Sequence, residues 1–313
     1  MSAILVQAPG MFTTVQDLGR EGFGPIGVSA SGAADPVSLR IGNRLVGNPE
    51  GAAALEMTLV GGSFTFDRGA IVALTGADFG ASLGGVPLPM CTSIEVQPGQ
   101  TLAFGASRSG ARAYVCIQGG IAVKPFLRSA STHVLSGLGG FQGRPLRKSD
   151  LLEVGPAKSP FQKRSLSPQA LERLQPRKLL RMTNGPQSEW FAPSSWKLFC
   201  ESSFRVTEQS NRMGIRLQGP GIPIDLSREM ITEGVSLGAI QVPPSGQPII
   251  LFVEQQTTGG YPKIANIVSA DLHSLGQLRP RDEIRFERIE FSEARSLLIQ
   301  QEALLASKEL ILE

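Results

Sequence analysis

The chain has 313 residues, 41% of them apolar and 6% aromatic, with 36 glycines and 22 prolines. That length fits about two domains of 100–200 residues, and the glycine and proline content favours many short strands joined by turns over long helices. A formal net charge of +3, with Lys and Arg scattered rather than striped, argues against a nucleic-acid partner, and the absence of any apolar run of about 18 residues or of a leader pattern argues against a membrane span and for the cytoplasm.

Three cysteines, Cys91, Cys116 and Cys200, stand far apart without C-x-x-C spacing and read as reduced core thiols. With only His133 and His273 available, no metal site is expected.

Taken in order, Ala3–Ala8 predicts a first strand ending at Pro9-Gly10. Asp17 and Arg20 follow, close enough to pair; an exposed ion pair on a surface loop is the plain reading, anion binding the functional one. Ser29 to Asp35 leads into a helix start, with Asp35 as N-cap, Pro36 at the first position and Val37, Ile41 and Leu45 at four-residue spacing. Small residues before that start leave backbone N–H groups that suit an anion, although capping alone explains Asp35. From Leu55 to Ile117 the pattern is β: short alternating runs are separated by glycine turns at the spacing of a barrel or sandwich. The polar stretch 128–133 could line a cleft, or His133 could be a satisfied structural histidine.

Basic residues and four prolines between 156 and 178 predict a solvated linker. A second β pattern starts near Leu179 and includes Arg212, either a bidentate anion ligand or an exposed loop arginine. Glu233 and Glu254 are both candidates for general-base work. The stretch Glu254–Pro262 then gathers a carboxylate, amides, hydroxyls, a phenol and two glycines after the apolar run Pro248–Val253; it reads as a tight hairpin turn or as a ligand-facing one. Residues 292–313 predict an amphipathic C-terminal helix of roughly 30 Å. The expected organisation is therefore a mainly β chain with domains at 1–155 and 179–291, a linker at 156–178 and a helix at 292–313.

Six ordered motifs carry a resemblance: Gln16-Asp17-Leu18-Gly19-Arg20, Ser31–Asp35, Asn43–Asn48, Ser210-Asn211-Arg212-Met213-Gly214, Gly238–Pro243 and Gln256-Thr257-Thr258-Gly259-Gly260-Tyr261-Pro262. Together they resemble the C subunit of ATP-dependent 5-oxoprolinase, the KipA or allophanate-hydrolase-subunit-2 family, which is similar to the carboxyltransferase part of urea carboxylase. Where that family commonly has Leu-Gly-Ser-Arg-Ser-Thr, this chain has Leu127-Arg128-Ser129-Ala130-Ser131-Thr132, and Glu254 with Gln255 replaces the usual Asp.

The resemblance implies two cyclophilin-like β-barrel domains and two partner proteins, one KipI-like (the B component) and one of the lactam-utilisation type (the A component). It also implies ATP-driven opening of 5-oxo-L-proline to L-glutamate by the assembled hetero-oligomer. Under it, Arg212, Glu254 and Tyr261 are the expected catalytic residues. Substrate contacts are expected from Asp17, Arg20, Ser31, Asp35, Gln241, Gln256, Thr257, Thr258, Gly259, Gly260 and Asp271. Two alternatives stand beside it: biotin-dependent carboxyl transfer to urea or another small amide, with biotin arriving on another protein, and a non-catalytic KipA-like binding module. No G-x-x-x-x-G-K-[ST] loop is present.

Overall fold

The structure is a computed structural model that describes residues 2–157, 160–225, 227–228 and 230–313. The chain is mostly β and divides into two compact units, one of residues 2–20, 31–174 and 304–313, the other of residues 21–30 and 175–303.

The first unit is built on a six-stranded and a five-stranded sheet. In the larger sheet Ser2–Ala8 lies between Leu151–Val154 and Ser63–Phe66, and in the smaller Ser109–Ile117 lies between Ala54–Thr58 and Ala70–Asp78. Successive side chains of a strand point to opposite faces, and Ser109–Ile117 uses both. Ala113, Val115 and Ile117 enter the core with Ile4, Phe64, Phe66 and Leu102, while Tyr114 and Cys116 pack under a helix on the other face.

That helix, Pro36–Leu45, begins as the sequence predicts. Asp35 accepts from the Ser38 N–H at 2.9 Å and Pro36 takes the first position. It ends where Gly47, at φ +75°, lets the Asn48 N–H reach the Asn43 carbonyl at 2.8 Å, a left-handed close that favours glycine. Burial pushes the thiols up, Cys91 to about 11 and Cys116 further, so both are inert core sulfurs. His133 is buried, and its Nδ1 accepts from the Ser136 N–H at 3.2 Å.

Two expectations are corrected here. The basic stretch 156–178 is not a bare linker: Ser165–Leu166 is a strand, and Pro168–Arg173 is a helix capped by Ser167. Leu166, Ala170 and Leu174 recur every four residues and are buried in the first unit's core, so Pro168 starts a helix rather than breaking one. The C-terminal helix runs only from Phe291 to Ala306; after a short turn at Lys308–Leu310, Ile311–Leu312 pairs with Ser165–Leu166.

A two-residue turn in this unit carries strain. Phe126 and Ser129 exchange backbone hydrogen bonds at 2.8 and 3.1 Å, with Leu127 at φ +48° and Arg128 at φ +65° between them. Two consecutive positive φ values define a turn that favours Asn-Gly, and the family pattern has glycine where this chain has Arg128. Replacing Leu127 by Asn and Arg128 by Gly is expected to raise stability by about 1 kcal/mol, read as a higher urea midpoint; a lower midpoint would show that the two side chains repay the strain.

The second unit closes a seven-stranded barrel in the order Leu179–Asn184, Lys263–Ile267, Ala239–Gln241, Ile249–Leu251, Gly214–Gln218, Phe204–Val206 and Glu283–Arg288, whose last strand pairs in parallel with the first. Phe199, from the helix Pro193–Glu201, stacks on Phe286 at 4.6 Å between ring centroids and meets Phe204 edge-on at 5.4 Å. Because Ala239–Gln241 lies between Ile249–Leu251 and Lys263–Ile267 and is antiparallel to both, the segment 252–262 is a crossover running the length of the barrel wall. The hairpin reading of Glu254–Pro262 fails for that reason. Among the described residues no helix is long and apolar enough to cross a membrane.

Candidate functional site

The crossover starts at one end of the barrel and finishes at the other. At its finish Gln241 and Lys263 are cross-strand partners. Thr258–Gly259 pairs there with Glu233–Gly234 in a two-stranded ribbon, extended by the Val235 N–H donating to the Thr257 carbonyl at 3.1 Å. Five side chains gather around this mouth. Lys263, only 2% exposed, places its Nζ 2.6 Å from Glu233 Oε1. Gln187 donates to the same carboxylate at 2.9 Å, and its own Oε1 accepts the Lys263 backbone N–H at 3.1 Å. Gln241 is buried and, among the described residues, its Nε2 has no hydrogen-bond acceptor. Gln256 is exposed, with its Nε2 close to Gly259.

Gly259 sets the clearance. A Cβ there would stand 2.4 Å from Gln241 Nε2 and 3.3 Å from Gln256 Nε2, so any side chain at this position would fill the space beside the two amides. Thr258, Gly260 and Tyr261 are exposed along the rim, Tyr261 by 44%.

Lys263, and after it Gln187, hold the Glu233 carboxyl below the usual carboxylate range. Its folded pKa is depressed, so its contribution to stability is present above the unfolded value near 4.5 and is lost as pH falls through the lower folded value. The melting temperature of the parent chain should therefore fall more steeply between about pH 5 and pH 3 than that of Glu233→Gln; parallel curves would contradict the assignment.

The other expected site residues of this unit lie elsewhere. Arg212 precedes the strand Gly214–Gln218 and Glu254 follows Ile249–Leu251; because Gly214 is registered against Leu251, the two meet at the barrel end opposite Gln241. Arg212 Nε donates to Glu254 Oε1, and the Glu254 N–H donates to the Arg212 carbonyl at 2.8 Å. Both side chains are buried, at 7% and 5% exposure. The register therefore separates Arg212 and Glu254 from Tyr261, with which they were grouped. Asp271 is fully buried and engages Arg181 through Nε, Nη2 and the backbone N–H. That hydrogen-bonded carboxylate raises the arginine's pKa and anchors the short helix Leu272–Gly276 to the strand Leu179–Asn184.

In the first unit Asp17, Arg20, Ser31 and Asp35 are all buried, so the exposed ion pair expected of Asp17 and Arg20 is replaced by an internal network. Asp17 accepts from the Gly19 N–H at 2.8 Å, Ser129 Oγ at 2.7 Å and the Ala130 N–H at 2.6 Å. Arg20 donates to the Ser131 carbonyl and lies over the Phe126 ring. Ser31 Oγ donates to the Thr132 carbonyl at 2.9 Å, while Asp35 caps its helix and takes the Ser38 hydroxyl at 2.6 Å. Beneath that cap, Glu56 accepts from Tyr114 Oη at 2.7 Å and from the Ala34 N–H at 2.8 Å. The polar stretch 128–132 thus ties the loop of Asp17 and Arg20 in place.

Sequence reading missed Lys263 and Gln187. The available signal was a lysine opening a short strand, Lys-Ile-Ala-Asn-Ile, directly after Gly-Gly-Tyr-Pro. Among the described residues no three His, Cys, Asp or Glu side chains gather as a metal site would require. Chemically, the barrel mouth offers an ammonium, a half-exposed carboxylate and a buried amide donor, a set that can meet the carbonyl oxygen and N–H of a small amide.

Residues 26–288 match the family model described as carboxyltransferase domain, subdomain A and B. The chain is 39% identical over 285 residues to the 5-oxoprolinase C subunit of Escherichia coli, covering 91% of each, and 35% identical over 292 residues to the 5-oxoprolinase C subunit of Haemophilus influenzae, covering 93% of each. The crystal structure of the Kluyveromyces lactis urea amidolyase superposes with a TM-score of 0.90 at 31% identity, covering 99% of this chain and 21% of that one.

Proposed function

The chain belongs to the carboxyltransferase domain, subdomain A and B, family, and on that premise we propose that it is the C subunit of an ATP-dependent 5-oxoprolinase that opens 5-oxo-L-proline to L-glutamate. The assembly is cytoplasmic and includes a KipI-like partner and a lactam-utilisation-type partner. The observation that carries the reading is the buried Gln241 Nε2, a donor with no acceptor among the described residues, set beside Gly259 and in cross-strand register with Lys263. A lactam carbonyl oxygen supplies the missing acceptor. Among small amides, the near end-to-end match to 5-oxoprolinase C subunits favours 5-oxoproline over urea, since the amidolyase devotes only 21% of its chain to this fold.

An amide is a poor electrophile, and what this chain contributes is position and charge. Lys263 stabilises negative charge developing on the carbonyl oxygen, Gln241 fixes the ring plane, and Glu233 holds the ammonium in place. Thr257, Thr258, Gly260 and Tyr261 form the rim that admits the ring. Arg212, Glu254 and Asp271 act as anchors of the barrel, and Asp17, Arg20, Ser31 and Asp35 as anchors of the first unit. The donor set at the mouth does not fit a triphosphate: among the described residues it holds one cation, already opposite a carboxylate, and no glycine-rich loop ahead of a helix. ATP is therefore assigned to the partner proteins.

The structural likeness to a urea amidolyase favours one second reading, biotin-dependent carboxyl transfer to a small amide at the same mouth. Copurifying the chain with its natural partners and measuring ATP consumption against 5-oxoproline, urea and allophanate separates them. Consumption with 5-oxoproline that avidin leaves unchanged supports the lactamase; avidin-sensitive consumption with urea supports carboxyl transfer. No consumption with any of the three leaves the binding module.

A further inference from the structure

The second unit also carries an open groove of about 750 Å³ on the outer wall of its barrel, formed by the strands Phe204–Val206 and Gly214–Gln218 and by the turn at 243–248. Strand alternation turns Phe204, Val206, Ile215 and Leu217 inward and leaves Arg205, Arg216 and Gln218 facing solvent. Arg205 is registered against Gln218, which makes Arg216 its diagonal neighbour at about 7–8 Å. Arg281 adds a third guanidinium. Glu208, the one acid of the described lining, lies against it at 2.7 Å.

Arg205 also lies 3.8 Å from Glu283 on the next strand, an exposed ion pair that contributes little and can be exchanged for another carboxylate. An extended peptide repeats the same face every second residue, about 6.6 Å apart, which matches the diagonal spacing of Arg205 and Arg216. Carboxylates at alternate positions would each meet a guanidinium, and the intervening amide of Gln218 would face the peptide backbone. Thr207 contributes a buried hydroxyl that has no partner among the described residues. Among the described residues no aromatic side chain lines the groove, so a nucleotide base finds no stacking partner there.

We propose that this groove docks an extended acidic segment of a partner protein, with acids at alternate positions, independently of the reaction at the barrel mouth. The test is a fluorescence-anisotropy titration of the full chain into a fluorescein-labelled peptide of alternating Glu and Ala, with alternating Gln and Ala as control. The expected result is binding of the acidic peptide that weakens with added salt and weakens at least tenfold in Arg205→Glu/Arg216→Glu and with the Gln peptide. Unchanged melting temperature and circular dichroism establish that the variant is folded. Equal binding by parent and variant, or no binding of the acidic peptide, overturns the proposal. Inorganic tripolyphosphate displacing the peptide at lower concentration than unlabelled peptide does so as well, and assigns the groove to a small polyanion.

Discussion

Replacing Lys263 by Met is expected to lower kcat/KM of the assembled complex for 5-oxoproline on the order of 10²–10³-fold, the usual effect of removing one preorganised stabiliser of developing charge. The side chain is 2% exposed and its ammonium faces a carboxylate whose own side chain is 44% exposed. Methionine fills the space of the lysine stem, and Glu233 can turn to water once the ammonium is gone. Stability should therefore change by no more than about 1 kcal/mol. The two readouts together are diagnostic. A large loss of turnover at constant melting temperature places Lys263 at the reacting amide; full activity removes the barrel mouth from the chemistry.

The opposite pattern is expected at the other end of the barrel. Glu254→Ala strips Arg212 of a buried partner and should cost about 3–5 kcal/mol of stability, seen as a large drop in the urea midpoint. Turnover per folded molecule should stay near that of the parent. The double variant Arg212→Met/Glu254→Leu should recover most of the lost stability, because replacing both members of a buried pair by apolar groups is often close to neutral. A stable Glu254→Ala chain with lost turnover would return Glu254 to the chemistry and refute the structural role given to the pair.

The two ends of the barrel also mark how far the amino-acid sequence is legible by itself. Helix Pro36–Leu45 was legible from end to end because its signals are local: an Asp cap, a proline at the first position, and apolar residues at four-residue spacing. Several short strands of the first half, among them Ala54–Thr58, Ala70–Asp78 and Thr101–Ala103, were legible for the same reason, since alternation needs only neighbours in sequence. The stretch 254–262 drew attention by its composition, but its geometry was not legible. Whether it turns back or crosses over depends on which strand lies between Ile249–Leu251 and Lys263–Ile267, and that strand, Ala239–Gln241, comes earlier in the chain.

Burial was the other hidden variable. Arg212, Glu254, Asp17 and Asp271 were expected at the site under the resemblance, and their burial was not legible because each is held by partners far away in sequence. Lys263 was passed over because lysine is ordinarily a surface residue. The linker error had a similar origin: its charges and prolines were counted, while the four-residue spacing of Leu166, Ala170 and Leu174 was not.

The central claim is that the mouth formed by Gln241, Gly259 and Lys263 receives the lactam. The most direct measurement is a crystal structure of the assembled complex with 5-oxo-L-proline bound. The ring carbonyl oxygen is expected within about 3 Å of Gln241 Nε2 or Lys263 Nζ, with the ring edge over Gly259. A ring seated anywhere else, with Gln241 and Lys263 making no contact to it, would contradict the claim.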